Sequence, residues 1–408
     1  MIVGGGLSSA RAVKAYRDKG GKGAVRLFSS DTFLPYHRPP LSKRYLRGEI
    51  DAEETLVESE AFYREHDVDV HLESHASNLR VDEKTLDVDG NSVRYDKLLI
   101  ASGAWPHKLD VPGADREGVF TLRRVDDSRR IREAAADARH AAVVGAGFIG
   151  MEVAASLKQL GKEVTLIHRG TGLFEILRAH SLVLFLEDLY GRKGVDLVFS
   201  DEIVEFGGHD AIDHVRTRQD RVCQAELAVV GIGVEPVTDW LDGSGLQIDD
   251  GVVVNERFET GAPDVYAVGD VARFYDPLFE RHRRIEHWSN ANYQGTTVGE
   301  RLAGEDVHFD IVSTFFTEVF GITFKVFGDV DHFDEIVFRG RLEDENAIGF
   351  YLKAERLVAT LVVGQEEETE DTLKELISSR ATVSDLKRLG DEDVSLDQVF
   401  VRANGASA

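Results

Sequence analysis

The chain has one cysteine in 408 residues, Cys223 in "DRVCQAELAVV", so it can hold neither an internal disulfide nor an intramolecular dithiol redox centre. No apolar run approaches the roughly 20 residues that cross a bilayer, and no signal-peptide pattern is visible. A cytoplasmic protein without membrane contact is expected. Positive charge is short as well: 48 lysines and arginines stand against 73 aspartates and glutamates, for a formal net charge of −25. That balance argues against non-specific binding to nucleic acid or anionic lipid. His66, His71 and His75 match no zinc-ligand spacing and read as solvated surface, so no metal is expected. No solenoid period and no low-complexity tract appears. With 42% apolar and 30% charged residues, the composition is that of a globular chain long enough for two or three domains.

What is present is a strand–glycine loop–helix unit that occurs twice, about 140 residues apart. The first is "MIVGGGLSSARAVKAYRDKG", followed by the strand "AVRLFS". The second is "HAAVVGAGFIGMEVAASLKQLG", followed by "EVTLIHR". Each is a βαβ unit and implies a parallel sheet. In the second, Gly145, Gly147 and Gly150, with Ile149 between the last two, fit the dinucleotide fingerprint. One glycine serves the tight turn, one the approach of a pyrophosphate, and one the packing of helix on strand. The first unit keeps Gly4 and Gly6 but places Ser9 at the third position, behind the short strand Met1-Ile2-Val3. An acid after the following strand ordinarily accepts hydrogen bonds from the adenosine ribose. Asp31 is so placed in the first unit, whereas the second offers His168 and Arg169. Cations there would attract a 2′-phosphate and favour NADPH over NADH; the bland alternative is that both side chains face solvent.

Further along, "DVDVHLES", "TLDVDGNSVRYDKLLIASG" and "GVFTLRR" read as short strands, and "LFLEDLYGRKGVDLVFSDEIVEF" as a helix and a strand. A helix is expected from about Asn290 to Leu302. From about Glu305, alternating runs such as "ITFKVFG" and "EIVFRG" predict an antiparallel sheet followed by the helix "TEDTLKELISSR". The acidic run "GQEEETEDTLKEL" suits a helix N-terminus. Within the acidic chain, "RRIREAAADARH" and "ERHRR" are basic islands that would steer an acidic partner or make ordinary surface pairs.

The stretch "FLPYHRPPLSKRYL" places Pro35, Pro39 and Pro40 beside Arg38 and Lys43. Each proline fixes its own φ and biases its predecessor toward extended backbone, so the cations are held with little entropy left to lose. Together "PYHRPPLSK", "GAGFIGMEVA", "IGVEP", "VYAVGDVA" and "IEHWSNANYQG" resemble two-dinucleotide flavoprotein reductases of the glutathione reductase fold, in the ferredoxin-reductase-like branch. That branch includes putidaredoxin and rubredoxin reductases, dioxygenase reductase components and apoptosis-inducing factor.

The resemblance implies an α/β chain with two Rossmann-like dinucleotide-binding domains and a smaller C-terminal α+β domain. The FAD-binding domain would comprise 1–125 and 251–304, the NAD(P)-binding domain 126–250, and the C-terminal domain 305–408. It implies FAD and NADH or NADPH as cofactors. Gly4, Gly6, Ser9, Asp31, Arg38, Lys43, Ala101, Arg123 and Asp270 would serve FAD. Gly145, Gly147, Ile149, Gly150, Glu152, His168, Arg169 and Gly233 (in "IGVEP") would serve the nicotinamide nucleotide. Lys43, paired with Glu152, would lie beside flavin N5, and Glu286, His287 and Trp288 would border the reacting rings. A cation near N5 would stabilise the reduced flavin electrostatically.

Disulfide reductases of this fold carry a cysteine near the proline-rich loop, and "HRPPLSKRYL" has none. A thiolate must touch the flavin to exchange electrons with it, which excludes that chemistry. The expected activity is hydride transfer from NAD(P)H to FAD, then electron delivery to a ferredoxin or rubredoxin. A quinone, oxygen or monodehydroascorbate acceptor, or a redox-sensing interaction role, is the alternative. Either a monomer or a homodimer is compatible with the sequence.

Overall fold

In the computed structural model, which describes residues 1–364 and 367–402, three main sheets organise the chain. The first is five-stranded and wholly parallel, in the order Val265–Ala267, Leu98–Ile100, Ile2–Val3, Val25–Phe28, Val68–His71. Ile2 and Val3 suffice as its central strand because both neighbours pair with them in register, Ile2 with Leu27 on one side and Leu99 on the other. The strand at one edge arrives some 165 residues after the others, so the second sheet is an insertion into the first.

The second sheet is also parallel: Val195–Phe199, Glu163–His168, His140–Val144, Leu227–Val230, Val119–Thr121. Its central strands read as continuous apolar runs because both faces are covered, one by helices and the other by the antiparallel strands Ile203–Gly208, Ile212–Thr217 and Val222–Gln224; Ala142, Val143, Leu227 and Ala228 are fully buried. The "GVFTLRR" strand therefore forms the far edge of this sheet. The pair Ala104–Pro106 and Val234–Pro236 runs antiparallel between the two units.

From Thr314 onward the connections become hairpins. Strands Thr314–Val319, Ile322–Gly328, Arg356–Val363, Asn346–Lys353 and Glu335–Arg341 make an antiparallel sheet, backed by the helix Glu367–Ser378. Of the acidic run that precedes this helix, Gln365 and Glu366 lie outside the described residues. The architecture is the expected α/β pair of Rossmann-like sheets with a C-terminal antiparallel layer. No described helix is long and apolar enough to cross a membrane.

Two neighbouring helices frame the first glycine loop. Leu7–Asp18 lies against Trp288–Ala303 so closely that a Cβ on Gly295 would sit 2.4 Å from the Ser8 carbonyl. Contact of this kind, between the first turn of one helix and the middle of the other, fixes the two helices relative to each other.

Candidate active site

Both glycine loops lead from the C-terminal end of a parallel strand into a helix, the position where open α/β sheets bind ligands. Gly4 and Gly145 have φ of +121° and +106°. An added Cβ would lie 2.0 Å from the Ala101 carbonyl in one case and 2.2 Å from the Gly231 carbonyl in the other. At the second glycine of each loop the surroundings open. A Cβ on Gly147 would meet nothing within 4 Å, and one on Gly6 only the Arg38 guanidinium at 3.4 Å. Those empty approaches are where a pyrophosphate at a helix N-terminus would sit.

The proline-rich loop folds as a 3-10 turn over Pro39–Ser42. It is pinned from outside: Ser128 Oγ donates to the Leu41 carbonyl at 2.6 Å and Ser156 Oγ to the Ser42 carbonyl at 2.7 Å. Lys43 leaves this turn with its Nζ 2.7 Å from Glu152 Oε2, both side chains buried. Ser42 Oγ donates to the same oxygen, and Thr317 Oγ1 donates to Glu152 Oε1 at 2.7 Å. Charged groups this deep survive only when paired and hydrogen-bonded, and this pair is both.

Arg38, at the start of the same turn, has a buried Nε with no partner among the described residues. Burial first, and the neighbouring charge of Arg123 second, push its guanidinium below the ordinary arginine range. Arg123 in turn binds Asp270 at 2.6 Å. Cations brought together with an unused donor suit a phosphate-bearing ligand. Asp31 accepts from the Tyr36 hydroxyl at 2.8 Å and remains in the wall of the same cavity.

Two adjoining cavities, each of about 360 Å³, share Arg38 and Arg123. The first is lined by Gly4, Gly6, Asp31 and Ala101. The second is lined by Lys43, Glu152, Gly147, Ile149, Gly233, Asp270, Glu286, His287 and Trp288. Gly145, Gly150 and Ser9 shape the loops without lining either cavity. Trp288 donates its indole N–H to His37 Nδ1 at 2.8 Å. His287 is lowered to about 4, mainly by burial, so its ring is neutral at pH 7. Its Nδ1 accepts from the Ser289 amide at 3.3 Å, and its Nε2 contacts the Phe316 carbonyl at 3.1 Å.

His168 ends the strand Glu163–His168, Arg169 follows it, and neither lines a cavity. Arg169 is exposed, with no ion-pair partner among the described residues. His168, its charge disfavoured by burial, has Nε2 3.5 Å from Glu175 Oε2. The Glu175 carboxylate is anchored by the Thr171 amide at 2.8 Å. A carboxylate thus stands beside the position where the sequence shows none. It comes from seven residues further on, a distance at which no fingerprint signals it. Thr317 and Ser42 were equally unmarked in the sequence.

Other expectations meet mixed outcomes. Cys223 is buried in Val222–Gln224, its thiol raised by burial, and lines neither cavity. His66 and His71 are half-buried rather than solvated, because their rings pack on Phe62 and Phe28; His75 is exposed. The island "ERHRR" is largely consumed in ion pairs: Arg281 with Asp329, Arg283 with Asp276 and Arg284 with Asp250.

Comparison with known proteins agrees with this geometry. The model for pyridine nucleotide-disulphide oxidoreductases matches residues 1–295, and a reductase C-terminal model matches 314–400. Putidaredoxin reductase CamA of Pseudomonas putida is 30% identical, over 99% of this chain and 97% of its own. The 5,5'-dehydrodivanillate O-demethylase ferredoxin reductase subunit of a Sphingobium species is 32% identical, over 98% and 97%. The reductase in a covalent putidaredoxin reductase–putidaredoxin complex superposes with a TM-score of 0.93 at 30% identity, covering 97% of this chain and 96% of that one. The chain belongs to the pyridine nucleotide-disulphide oxidoreductase family.

Proposed function

We propose that this chain binds FAD across the two cavities, takes hydride from NADH or NADPH, and passes electrons to a ferredoxin-type iron–sulfur protein. The observation that carries the reading is the buried Lys43–Glu152 pair, which lines a cavity flanked by two glycine loops and free of thiols. Bound FAD supplies the redox chemistry: it accepts two electrons as hydride and releases them to an acceptor.

The protein's part is binding, orientation and electrostatics. Gly4, Gly6 and Ser9 form the first phosphate loop, with Ala101 crossing beneath it. Arg38, whose Nε is orphaned, and Arg123 hold the phosphates. Asp31 takes the adenosine ribose and Asp270 the ribityl chain. Gly145, Gly147, Ile149 and Gly150 form the second loop, Gly233 closes its rim, and His168, Arg169 and Glu175 face the second ribose. Lys43 offers a positive charge beside the reacting ring, Glu152 keeps it in place, and Trp288 walls the site. Neutral His287 adds no competing charge there. No general base is assigned, because hydride transfer between stacked rings needs none.

An iron–sulfur acceptor is supported by relatives named as reductases of putidaredoxin and of ferredoxin components. The test is anaerobic stopped-flow mixing of flavin-loaded protein with each nicotinamide, followed by reoxidation with a [2Fe–2S] ferredoxin or a quinone. Loss of flavin absorbance and fast ferredoxin reduction are expected. No absorbance change with either nucleotide removes the reading, and reoxidation by quinone alone replaces the acceptor.

A further inference from the structure

Glu152 is 4% exposed, and both of its oxygens are committed. Oε2 faces Lys43 Nζ and accepts from Ser42 Oγ, whereas Oε1 accepts from Thr317 Oγ1. With Glu152 itself, these groups come from three parts of the chain. Lys43 and Ser42 belong to the proline-rich loop, Glu152 to the helix Phe148–Gln159, and Thr317 to the strand Thr314–Val319 of the antiparallel sheet. Thr317 is 2% exposed. The neighbouring Phe316 lines the cavity and packs against Trp288, so two consecutive residues of the strand reach the site.

We propose that Thr317 is a positioning residue for the reaction: the antiparallel sheet fixes Glu152, and through Glu152 the placement of the Lys43 charge. The proposal rests on the functional reading above and goes beyond it by making the third sheet part of the redox centre. The terminal torsion of a glutamate is broad, so a carboxylate bonded at one oxygen alone can rotate and exchange its oxygens. Lys43 Nζ already donates to a second acceptor, the Pro39 carbonyl at 3.2 Å. A rotated Glu152 would leave the Pro39 carbonyl as the stronger hold and draw the ammonium toward it. The Thr317 hydroxyl blocks that rotation by occupying Oε1. Threonine suits the task, because its β-branched side chain has few rotamers and its donor stays aimed.

The experiment uses the flavin-loaded protein with Thr317→Val, which keeps the shape and removes the donor, and Thr317→Ser, which keeps the donor. Thr317→Val should slow flavin reduction by NAD(P)H about tenfold, the order expected for one hydrogen bond to a buried charge. Its flavin midpoint potential should fall as well. Thr317→Ser should stay within about twofold of the parent. In a Glu152→Ala background Thr317→Val should change the rate by less than about twofold, because the residue acts only through that carboxylate. If Thr317→Val does not retain flavin, Thr317→Ala carries the same predictions.

Parent-like rate and potential in Thr317→Val, or a tenfold loss that persists without the Glu152 carboxylate, would overturn the proposal. If the parent protein itself is not reduced by either nucleotide, the functional reading fails first. A normally reduced parent with an indifferent Thr317→Val refutes this inference alone.

Discussion

The two glycine loops occupy equivalent places in two parallel sheets, yet they close on their helices differently. In the second loop the third glycine is a steric necessity, since a Cβ on Gly150 would lie 2.0 Å from the Gly145 carbonyl. In the first loop Ser9 holds that position, wholly buried, and its Oγ donates to the Gly4 carbonyl at 2.6 Å. One loop achieves close packing by having no side chain. The other accepts a small side chain and turns it into a hydrogen bond. The supporting strands differ in the same sense: five residues with full register behind the second loop, two residues behind the first. A loop on a short strand gains from an internal bond that the better-supported loop does not need. The third position of such a motif therefore reports how tightly helix and strand approach, and it need not be glycine.

The sharpest way to break the comparison is Gly150→Ala. The added methyl has to displace the helix that carries Glu152, and displacements of about 1 Å at a reaction centre cost roughly a hundredfold in rate. Stopped-flow reduction by NAD(P)H should fall by about that factor while flavin content stays near the parent's, because the first loop is untouched.

A smaller effect is expected at the outer end of the second unit. Glu175→Gln removes the negative charge beside His168, which would otherwise repel a 2′-phosphate. The ratio of kcat/KM for NADPH to that for NADH should rise by about tenfold, equivalent to roughly 1.4 kcal/mol. An unchanged ratio would mean that the Glu175 carboxylate does not face the nucleotide.

The smallest effect belongs to the first loop. Ser9→Ala keeps the Cβ and loses only the hydrogen bond, worth about 1 kcal/mol. Flavin affinity, measured by fluorescence titration of the flavin-free protein, should weaken by about fivefold. If Ser9→Ala proved as damaging as Gly150→Ala, the two loops would be alike after all.

Much of this could be read from the sequence where the signal is local. The glycine loops, the proline-stiffened Lys43 and the change of texture near Glu305 are all written within a few residues, and the sheets follow from them. Lys43 meeting Glu152 followed from resemblance to a family, since 109 residues separate them. What escaped was set by tertiary approach or by irregular local backbone. Thr317 is one of several threonines on alternating strands, and nothing in "FFTEV" marks it as the residue that reaches Glu152. Glu175 sits between Phe174 and Arg178, both in left-handed backbone, and only that local fold returns its carboxylate to His168. The half-buried His71 escaped for the same reason, since Phe28 meets it only across neighbouring strands, whereas His66 on Phe62 is an i,i+4 contact at the helix Glu60–Glu65 that the spacing alone could have signalled.

The central claim is that a buried ammonium group tunes the redox cofactor, and the flavin midpoint potential of Lys43→Met tests it most directly. Removing the cation destabilises the reduced, more negative ring, so the potential should drop by tens of millivolts, about 30 mV for each tenfold change in the two-electron equilibrium. A potential that stays where it was, or rises, would contradict the account.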